Sequence, residues 1–206
     1  MTFSIVGRCP ETGQLGIAIS SSSIAVGARC PWLRAGVGAV ATQNVTLPAL
    51  GPQILDLLEQ QALEPGDALQ RALGANGWSQ YRQVTVIDSQ GRTALFSGKE
   101  ALGLYNAVAG EQCVAAGNLL ASEAVIQAMV EAFENASGQL ADRLLAAMHG
   151  RWPLAVRPAR CTRRRSRWWV IWSGRSSTCG STGRMTTPSP SSTACGRPTA
   201  RRCRIT

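Results

Sequence analysis

Thr2, the second residue of the chain, has the chemistry of a nucleophile if the initiator methionine is removed. Threonine is small enough to allow removal of Met1, which would leave a hydroxyl and a free α-amino group on one residue. An α-amine has a pKa of about 8 and can take up the hydroxyl proton, so Thr2 would supply both nucleophile and base. An ordinary processed terminus is the alternative, because very many proteins begin Met-Thr. The β-rich run that starts at Phe3 favours catalysis, since it would hold the new terminus at a sheet end.

Charge divides the chain into two unlike segments. Residues 1–150 contain 8 basic and 12 acidic side chains, a formal charge of −4, whereas residues 151–206 contain 13 arginines and no lysine or acidic residue. The net charge of +9 therefore comes from the second segment. A basic chain ordinarily suggests a polyanionic partner, but here only residues 151–206 carry that signal. We predict one domain over 1–150, long enough to bury a core, followed by an aberrant tail.

The first segment lacks the patterns typical of membrane, exported or metal-binding proteins. It contains no apolar run of about 18 residues, and its N-terminus lacks the basic start, apolar block and cleavage site of a signal peptide. We therefore expect a cytoplasmic protein with no cofactor, no metal and no membrane partner. Cys9, Cys30 and Cys113 are scattered without ligand spacing, which indicates buried or incidental thiols rather than disulfides or zinc ligands.

Hydrophobic patterns along 1–150 predict an α+β fold. Phe3–Gly7 and Leu15–Ser20 flank a turn, and the small apolar run Ala35–Gln43 predicts a strand covered on both faces. Further predicted elements are a helix from Gly51, a helix over Pro65–Ala75, a hairpin of Arg82–Asp88 and Arg92–Gly98, a strand at Gln112–Asn118, a helix capped by Ser122 with a stripe of apolar residues, and a helix over Leu140–Met148. Strands and helices come in groups, which indicates layers rather than βαβ alternation.

The tail, residues 151–206, follows none of these patterns. It is rich in Arg, Ser, Pro and Trp, and the run RRRSRWWVIWSG (Arg163–Gly174) holds three of the four tail tryptophans. The protein sequence fixes most bases of a shifted reading frame, and with a suitable choice of the free synonymous bases that frame gives, from Pro158, a far more protein-like string with two strands, an acidic cap and an amphipathic helix. We therefore predict a frameshift near Met148–Arg151 and a disordered tail. The alternatives to a frameshift are a genuinely encoded tail that is a nonspecific basic disordered segment, or one that binds nucleic acid.

Four segments carry a family resemblance. MTFSIVGRCPETGQLGIAISS, AVGARCPWLRAGVGAVATQNVTLPALGPQILDLL, RQVTVIDSQGRTALFSG and CVAAGNLLAS resemble, in order, the bacterial domain-of-unknown-function family 1028 of the N-terminal nucleophile (Ntn) hydrolase superfamily. The resemblance implies a four-layer αββα sandwich, incomplete here at its C-terminal end, and hydrolysis of an amide bond. The shifted frame also resembles the C-terminal part of this family.

The resemblance assigns Thr2 to the nucleophile position. A tetrahedral oxyanion needs preorganised donors; Asn118 and Gln43 are candidate catalytic donors, while Asn44 and Ser21 are candidate substrate-binding residues. Loop-capping amides and an ordinary strand end are the alternative interpretations of these side chains. Ser20 and Ser21 could orient the amine, and Lys99 could be a charge partner or an exposed turn residue. His149 lies too near the break to be used.

Two functions are thus predicted from the sequence. The first is an amide-bond hydrolase acting on a small amide-containing substrate, with activity doubtful in a frameshifted form. The second is a non-catalytic or defective Ntn-fold protein that binds a small ligand. Neither interpretation requires a specific nucleic acid, and homo-oligomerisation stays open.

Overall fold

The chain forms a mixed α+β structure with two antiparallel sheets. The computed structural model describes residues 1–150 and, beyond them, the backbone of two further strands. The strands of this part of the chain are β1 (Thr2–Arg8), β2 (Leu15–Ser21), β3 (Pro31–Arg34), β4 (Gly38–Asn44), β5 (Arg82–Asp88), β6 (Thr93–Ser97), β7 (Asn106–Gly110), β8 (Cys113–Asn118), β9 (Arg167–Ser173) and β10 (Gly183–Met185). Its five helices are α1 (Val26–Arg29), α2 (Leu50–Gln60), α3 (Pro65–Gly74), α4 (Ala124–Asn135) and α5 (Leu140–Gly150), and a 3₁₀ turn covers Ser79–Tyr81.

Antiparallel pairing places Thr2 at one end of a central strand. The larger sheet has the order β10-β9-β2-β1-β8-β7, so β1 lies between β2 and β8. Its register sets Thr2 opposite Ser21 on one side and opposite Asn118 on the other. The predicted hairpin of the first two strands is confirmed. Two polar residues, both predicted as site residues, therefore flank Thr2 directly.

Side chains of β1 alternate between the two faces of this sheet, as in any strand. Phe3 and Ile5 pack against α4 and α5, in a core that includes Phe133 and Leu144. Burying a side chain such as Phe133 contributes about 1.5–3 kcal/mol. The predicted apolar stripe of α4 is confirmed, since its members are all buried: Val125, Ile126, Met129, Val130 and Phe133. Thr2 belongs to the other set of β1 positions and faces away from these helices.

The second sheet, β3-β4-β5-β6, covers the face of β1 that carries Thr2. Apolar residues from both sheets meet in a buried cluster, which consists of Val6, Leu15, Ile17, Ala39, Ala41, Ile87 and Val114. The other face of this sheet packs on α2 and α3, where Val40, Val84 and Val86 contact apolar residues of both helices. The space between the sheets is therefore apolar at the end away from Thr2.

Several short elements were not predicted from the sequence. β3 and β7 lack a strong apolar pattern, and the predicted strand Ala35–Gln43 begins only at Gly38. A turn precedes it, in which the Val37 N–H donates to the Arg34 carbonyl and Gly36 has φ of 74°. The predicted cap of α4 is displaced by one residue: Glu123 occupies the N-cap, while the Ser122 hydroxyl accepts a hydrogen bond from the Ala124 N–H at 3.3 Å.

Two strands lie in the segment predicted to be disordered. β9 pairs with β2 from Leu15↔Ser173 to Ser21↔Arg167, and β10 pairs with β9. For these two strands the pairing differs from the predicted disorder. The physical reason is that aromatic and β-branched residues favour strands and that the edge of β2 offers unpaired backbone groups. All other residues of 151–206, and the predicted frameshifted C-terminus with them, lie outside the described residues.

Within the described residues, no helix has the length and apolar character needed to cross a membrane.

Candidate functional site

The side chains of Thr2 and Ser21 meet where β1 begins and β2 ends. Thr2 Oγ1 lies 2.8 Å from Ser21 Oγ, and Ser21 is buried while Thr2 is half-buried. Ser21 Oγ also accepts a hydrogen bond from the Ser23 backbone N–H at 3.0 Å. Because an N–H can only donate, Ser21 keeps its own proton and one lone pair for Thr2. The arrangement can therefore hold a threonine hydroxyl in one orientation.

Met1 precedes Thr2 and is itself held by hydrogen bonds. Its α-ammonium donates to Ser22 Oγ at 3.2 Å, and its carbonyl accepts from the Ser22 N–H at 3.1 Å. Partial burial lowers the pKa of this α-ammonium below its ordinary value of 8.0, because desolvation disfavours the charged form. An amine at this end of the sheet is thus more readily neutral than one in water.

A buried network of neutral side chains joins the two sheets beside Thr2. The Ser4 hydroxyl donates to Gln43 Oε1 at 2.8 Å, and Gln43 Nε2 donates to Gln83 Oε1 at 2.8 Å. Asn118 Nδ2 donates to the same Gln83 oxygen at 3.1 Å. These four side chains are at most 2% exposed, so this end of the inter-sheet space is polar and shielded from bulk solvent.

The network contains dipoles and no ionised group. Amide and hydroxyl donors fixed in a site with little water stabilise negative charge that develops during a reaction, and they need no reorganisation when it develops. The structure brings together three of the predicted residues, Gln43, Asn118 and Ser21, on the strands around Thr2. Their arrangement could stabilise the oxyanion of a carbonyl compound attacked at Thr2.

Asn44, predicted as substrate-binding, is hydrogen-bonded to two loops. It has φ of 70°, and its Nδ2 donates to the Tyr81 carbonyl at 2.6 Å. Its Oδ1 accepts from the Leu102 N–H at 3.2 Å. Asn44 therefore ties two loops together, and both of its amide atoms are engaged away from Thr2.

The remaining sequence candidates lie apart from the network. Ser20 is on the helix-facing side of β2, opposite Phe3, and its buried hydroxyl has no hydrogen-bond partner in the described part. Lys99 is exposed in the turn after β6, and His149 is exposed at the end of α5.

Sequence reasoning missed Ser4 and Gln83. Each is a buried polar residue at an inward position of a strand, in the segments TFSIVGR and RQVTVID. A polar residue at such a position is a signal of a buried hydrogen-bond network. This signal becomes visible only after each residue of the strand has been assigned to the inward or the outward face of its sheet.

The described residues contain no cluster of typical metal-ligating side chains. Among them, no group of three His, Cys, Asp or Glu side chains is close enough to hold an ion.

The sequence matches the family of unknown function DUF1028 over residues 2–150. The chain belongs to the DUF1028 family. The predicted family is thereby confirmed, and the matched range includes Thr2 and the whole polar network. No curated protein matches the chain.

A solved structure of another DUF1028 protein shares this fold. The protein from Silicibacter pomeroyi superposes with a TM-score of 0.80 at 26% sequence identity, covering 91% of this chain and 80% of that one. A second structure, the ancestral beta-subunit Anbu from Yersinia bercovieri, gives a TM-score of 0.41 at 10% identity, with 89% and 86% covered.

Proposed function

We propose that this DUF1028 protein is an N-terminal nucleophile hydrolase that cleaves an amide bond with Thr2 after removal of Met1. The observation that carries the proposal is the position of Thr2. It begins a central strand, its hydroxyl faces the inter-sheet space 2.8 Å from Ser21, and Asn118 lies opposite it. Nucleophile, orienting hydroxyl and amide donor thus converge at one end of the sheets.

The reaction proceeds in two steps. Thr2 Oγ1 attacks the amide carbonyl carbon while the α-amine of Thr2 takes up the hydroxyl proton. The tetrahedral intermediate collapses, the C–N bond breaks, and the proton passes to the leaving amine. Water then attacks the resulting ester with the α-amine as base, which releases a carboxylic acid and restores Thr2.

Asn118 and Gln43 supply amide donors on the side of the oxyanion. Each donates one N–H to Gln83 and has a second N–H for another acceptor. Asn118 is the nearer in the sheet, because it is the register partner of Thr2. Removing a single oxyanion donor typically costs about 10²–10³ in rate.

The fold that goes with this function is the four-layer αββα sandwich of Ntn hydrolases. Three apolar clusters support it: one between α4 or α5 and the first sheet, one between the sheets, and one between the second sheet and α2 or α3. Such stacking covers both faces of β1. A strand buried in this way can hold a catalytic terminus rigidly.

A protein that binds a ligand without catalysis is the second candidate. The observation that favours it is the anchoring of Met1, whose ammonium and carbonyl both bond Ser22. If Met1 stays, Thr2 has a peptide nitrogen instead of an amine, and no base is present on that residue.

Labelling with an electrophile separates the two candidates. The full chain, confirmed by mass to begin at Thr2, is incubated with an alkyl β-lactone, which acylates activated hydroxyls. We expect one adduct on the Thr2 peptide, retention of labelling in Thr2→Ser, and none in Thr2→Ala. Equal labelling of Thr2→Ala, or none of the parent chain, would refute the hydrolase.

A further inference from the structure

Gln83 accepts or donates five hydrogen bonds at the centre of the buried network. Its Oε1 accepts from Gln43 Nε2 at 2.8 Å and from Asn118 Nδ2 at 3.1 Å. Its Nε2 donates to Ser97 Oγ at 3.0 Å and to the backbone carbonyls of Gly117 at 3.1 Å and Asn106 at 3.3 Å. Because Nε2 carries two hydrogens, one of them is shared between two of these three acceptors. The residue is fully buried, so loss of its amide would remove hydrogen-bond partners that water cannot readily replace.

Two of these partners fix which way the amide of Gln83 points. The carbonyl oxygens of Gly117 and Asn106 can only accept, so the NH₂ group of Gln83 must face them. A flipped amide would set oxygen against oxygen at both carbonyls. The oxygen of Gln83 is therefore directed to the opposite side, toward Gln43 and Asn118.

That direction determines what the two neighbouring amides present. With an acceptor at Gln83, Gln43 and Asn118 must each turn an N–H toward it. The Ser4 hydroxyl holds Gln43 in the same sense, because it donates to Gln43 Oε1. Orientation thus passes from two backbone carbonyls through one side chain to both candidate oxyanion donors.

We propose that Gln83 is a positioning residue that orients the Asn118 and Gln43 amides as hydrogen-bond donors for the reaction at Thr2. This inference rests on the proposed hydrolase function. The hydrogen bonds of Gln83 go to Gln43, Asn118 and groups of neighbouring strands rather than to Thr2, so Gln83 acts through its two amide neighbours. Such an arrangement favours reactions in which a carbonyl oxygen becomes negative in the transition state. It does not favour reactions in which positive charge develops there.

Thr85 provides a matched control on the same strand. It is the next inward-facing residue of β5, it is buried, and its hydroxyl has no hydrogen-bond partner among the described residues. Thr85→Val therefore changes a buried polar side chain at the same depth without touching the network.

The experiment measures acylation of Thr2 by the alkyl β-lactone at a series of concentrations, in the full chain beginning at Thr2. Gln83→Met keeps the length of the side chain and removes its bonds. We expect the maximal rate constant to fall about 10–100-fold, a part of what loss of an oxyanion donor costs. The half-saturating lactone concentration of Gln83→Met should stay within about 2-fold of the parent value. For Thr85→Val, both the maximal rate constant and the half-saturating concentration should stay within about 2-fold of the parent values.

A second variant gives a readout that lost packing would not produce. In Gln83→Glu the carboxylate can accept but cannot donate to Gly117 or Asn106, whereas the carboxylic acid has one proton to donate. Burial raises the pKa of such a carboxyl group toward the working range. The ratio of the Gln83→Glu rate to the parent rate should therefore rise as the pH is lowered from 8 to 5.5.

The outcomes separate this inference from the hydrolase proposal. A parent chain that is not acylated overturns both. A parent that is acylated while folded Gln83→Met reacts at the parent rate overturns the role of Gln83 alone. If Gln83→Met does not fold, Gln83→Glu decides, and a rate ratio that is flat with pH overturns the inference.

Discussion

The hydroxyl oxygens of Thr2 and Ser21 lie 2.8 Å apart, on the two strands of one hairpin. Ser21 also accepts from the Ser23 N–H, so its oxygen is held from two sides. We expect Ser21→Ala to slow β-lactone acylation of Thr2 about 10-fold, because the nucleophile loses the group that orients it. Mass spectrometry of the Thr2 peptide over time measures the rate.

Ser23→Ala is the control for this prediction. The Ser23 hydroxyl accepts from Arg29 on the surface, and the variant keeps the backbone N–H that binds Ser21. Its acylation rate should match that of the parent. If Ser21→Ala also reacts at the parent rate, the contact of Thr2 with Ser21 has no part in the reaction.

The acylation rate should increase with pH and level off once the pH exceeds the pKa of the Thr2 α-amine. The reaction needs the neutral α-amine of Thr2 as base, so the rate rises as the pH passes the pKa of that amine. Burial lowers the pKa of the α-ammonium at Met1, and Thr2 lies one residue further into the sheet. A rate profile from pH 5 to 9 measures the midpoint, which we expect below the ordinary value of 8.0.

The chain that retains Met1 is the control for the pH profile. Its Thr2 nitrogen belongs to a peptide bond and cannot take up a proton. Acylation of Thr2 in that chain, at any pH in the range, would argue against the α-amine as base.

The cysteines of the first domain should differ in reactivity toward iodoacetamide at pH 7. Burial raises the pKa of Cys30 to about 11 and that of Cys113 to about 12, so both stay protonated. At Cys9 burial also raises the pKa, but hydrogen bonds from Thr12 and the nearby backbone outweigh it and lower the pKa overall. Because the thiolate is the reactive form, Cys9 should be modified first.

Peptide mapping after partial alkylation checks this order, and the urea-unfolded chain is the control. In the unfolded chain the three thiols should react at similar rates. Early modification of Cys113 in the folded protein would contradict its burial behind α4.

Ala62 and Ala75 offer a paired test of backbone conformation. Both are exposed and follow a helix, but Ala62 has φ of 50° and Ala75 has φ of −77°. Left-handed backbone costs a residue with a Cβ about 1–2 kcal/mol, whereas glycine loses about 0.5–1 kcal/mol of entropy on folding. Ala62→Gly should therefore raise the free energy of unfolding by up to about 1 kcal/mol and Ala75→Gly should lower it. Urea unfolding measures the free energy of unfolding of each variant. An Ala62→Gly chain less stable than the Ala75→Gly chain would contradict the prediction.

The gene should contain a frame change near codons 148–151. The charge of the chain changes at residue 151, and the match to the DUF1028 family ends at residue 150. We expect resequencing of the gene and the intact mass of the native protein to agree with the shifted frame. A native mass equal to that of the printed sequence would establish that the basic tail is made.

Much of the fold follows from local patterns in the sequence. The β1–β2 hairpin, the β5–β6 hairpin and the apolar stripe of α4 each depend on residues close in the chain, and each is confirmed. β3 and β7 were missed because they are short and only partly buried, so they have little apolar alternation to detect.

The strand pairing of the tail could not have been foreseen either. β9 lies in a basic, proline-interrupted segment of the sequence. It pairs with the open edge of β2, a strand about 150 residues earlier in the chain. A pairing partner at such a distance leaves no local trace in the sequence.

The candidate site divides in the same way. The sequence alone determined that Thr2 carries a hydroxyl next to a removable methionine, and that polar residues end the strands containing Gln43 and Asn118. Only the tertiary structure decided that Asn44 serves the loops, that Ser20 faces the helices, and that Gln83 joins the two sheets. The physical reason is that amide direction depends on which donors and acceptors surround it in three dimensions, and those partners come from strands far apart in the chain.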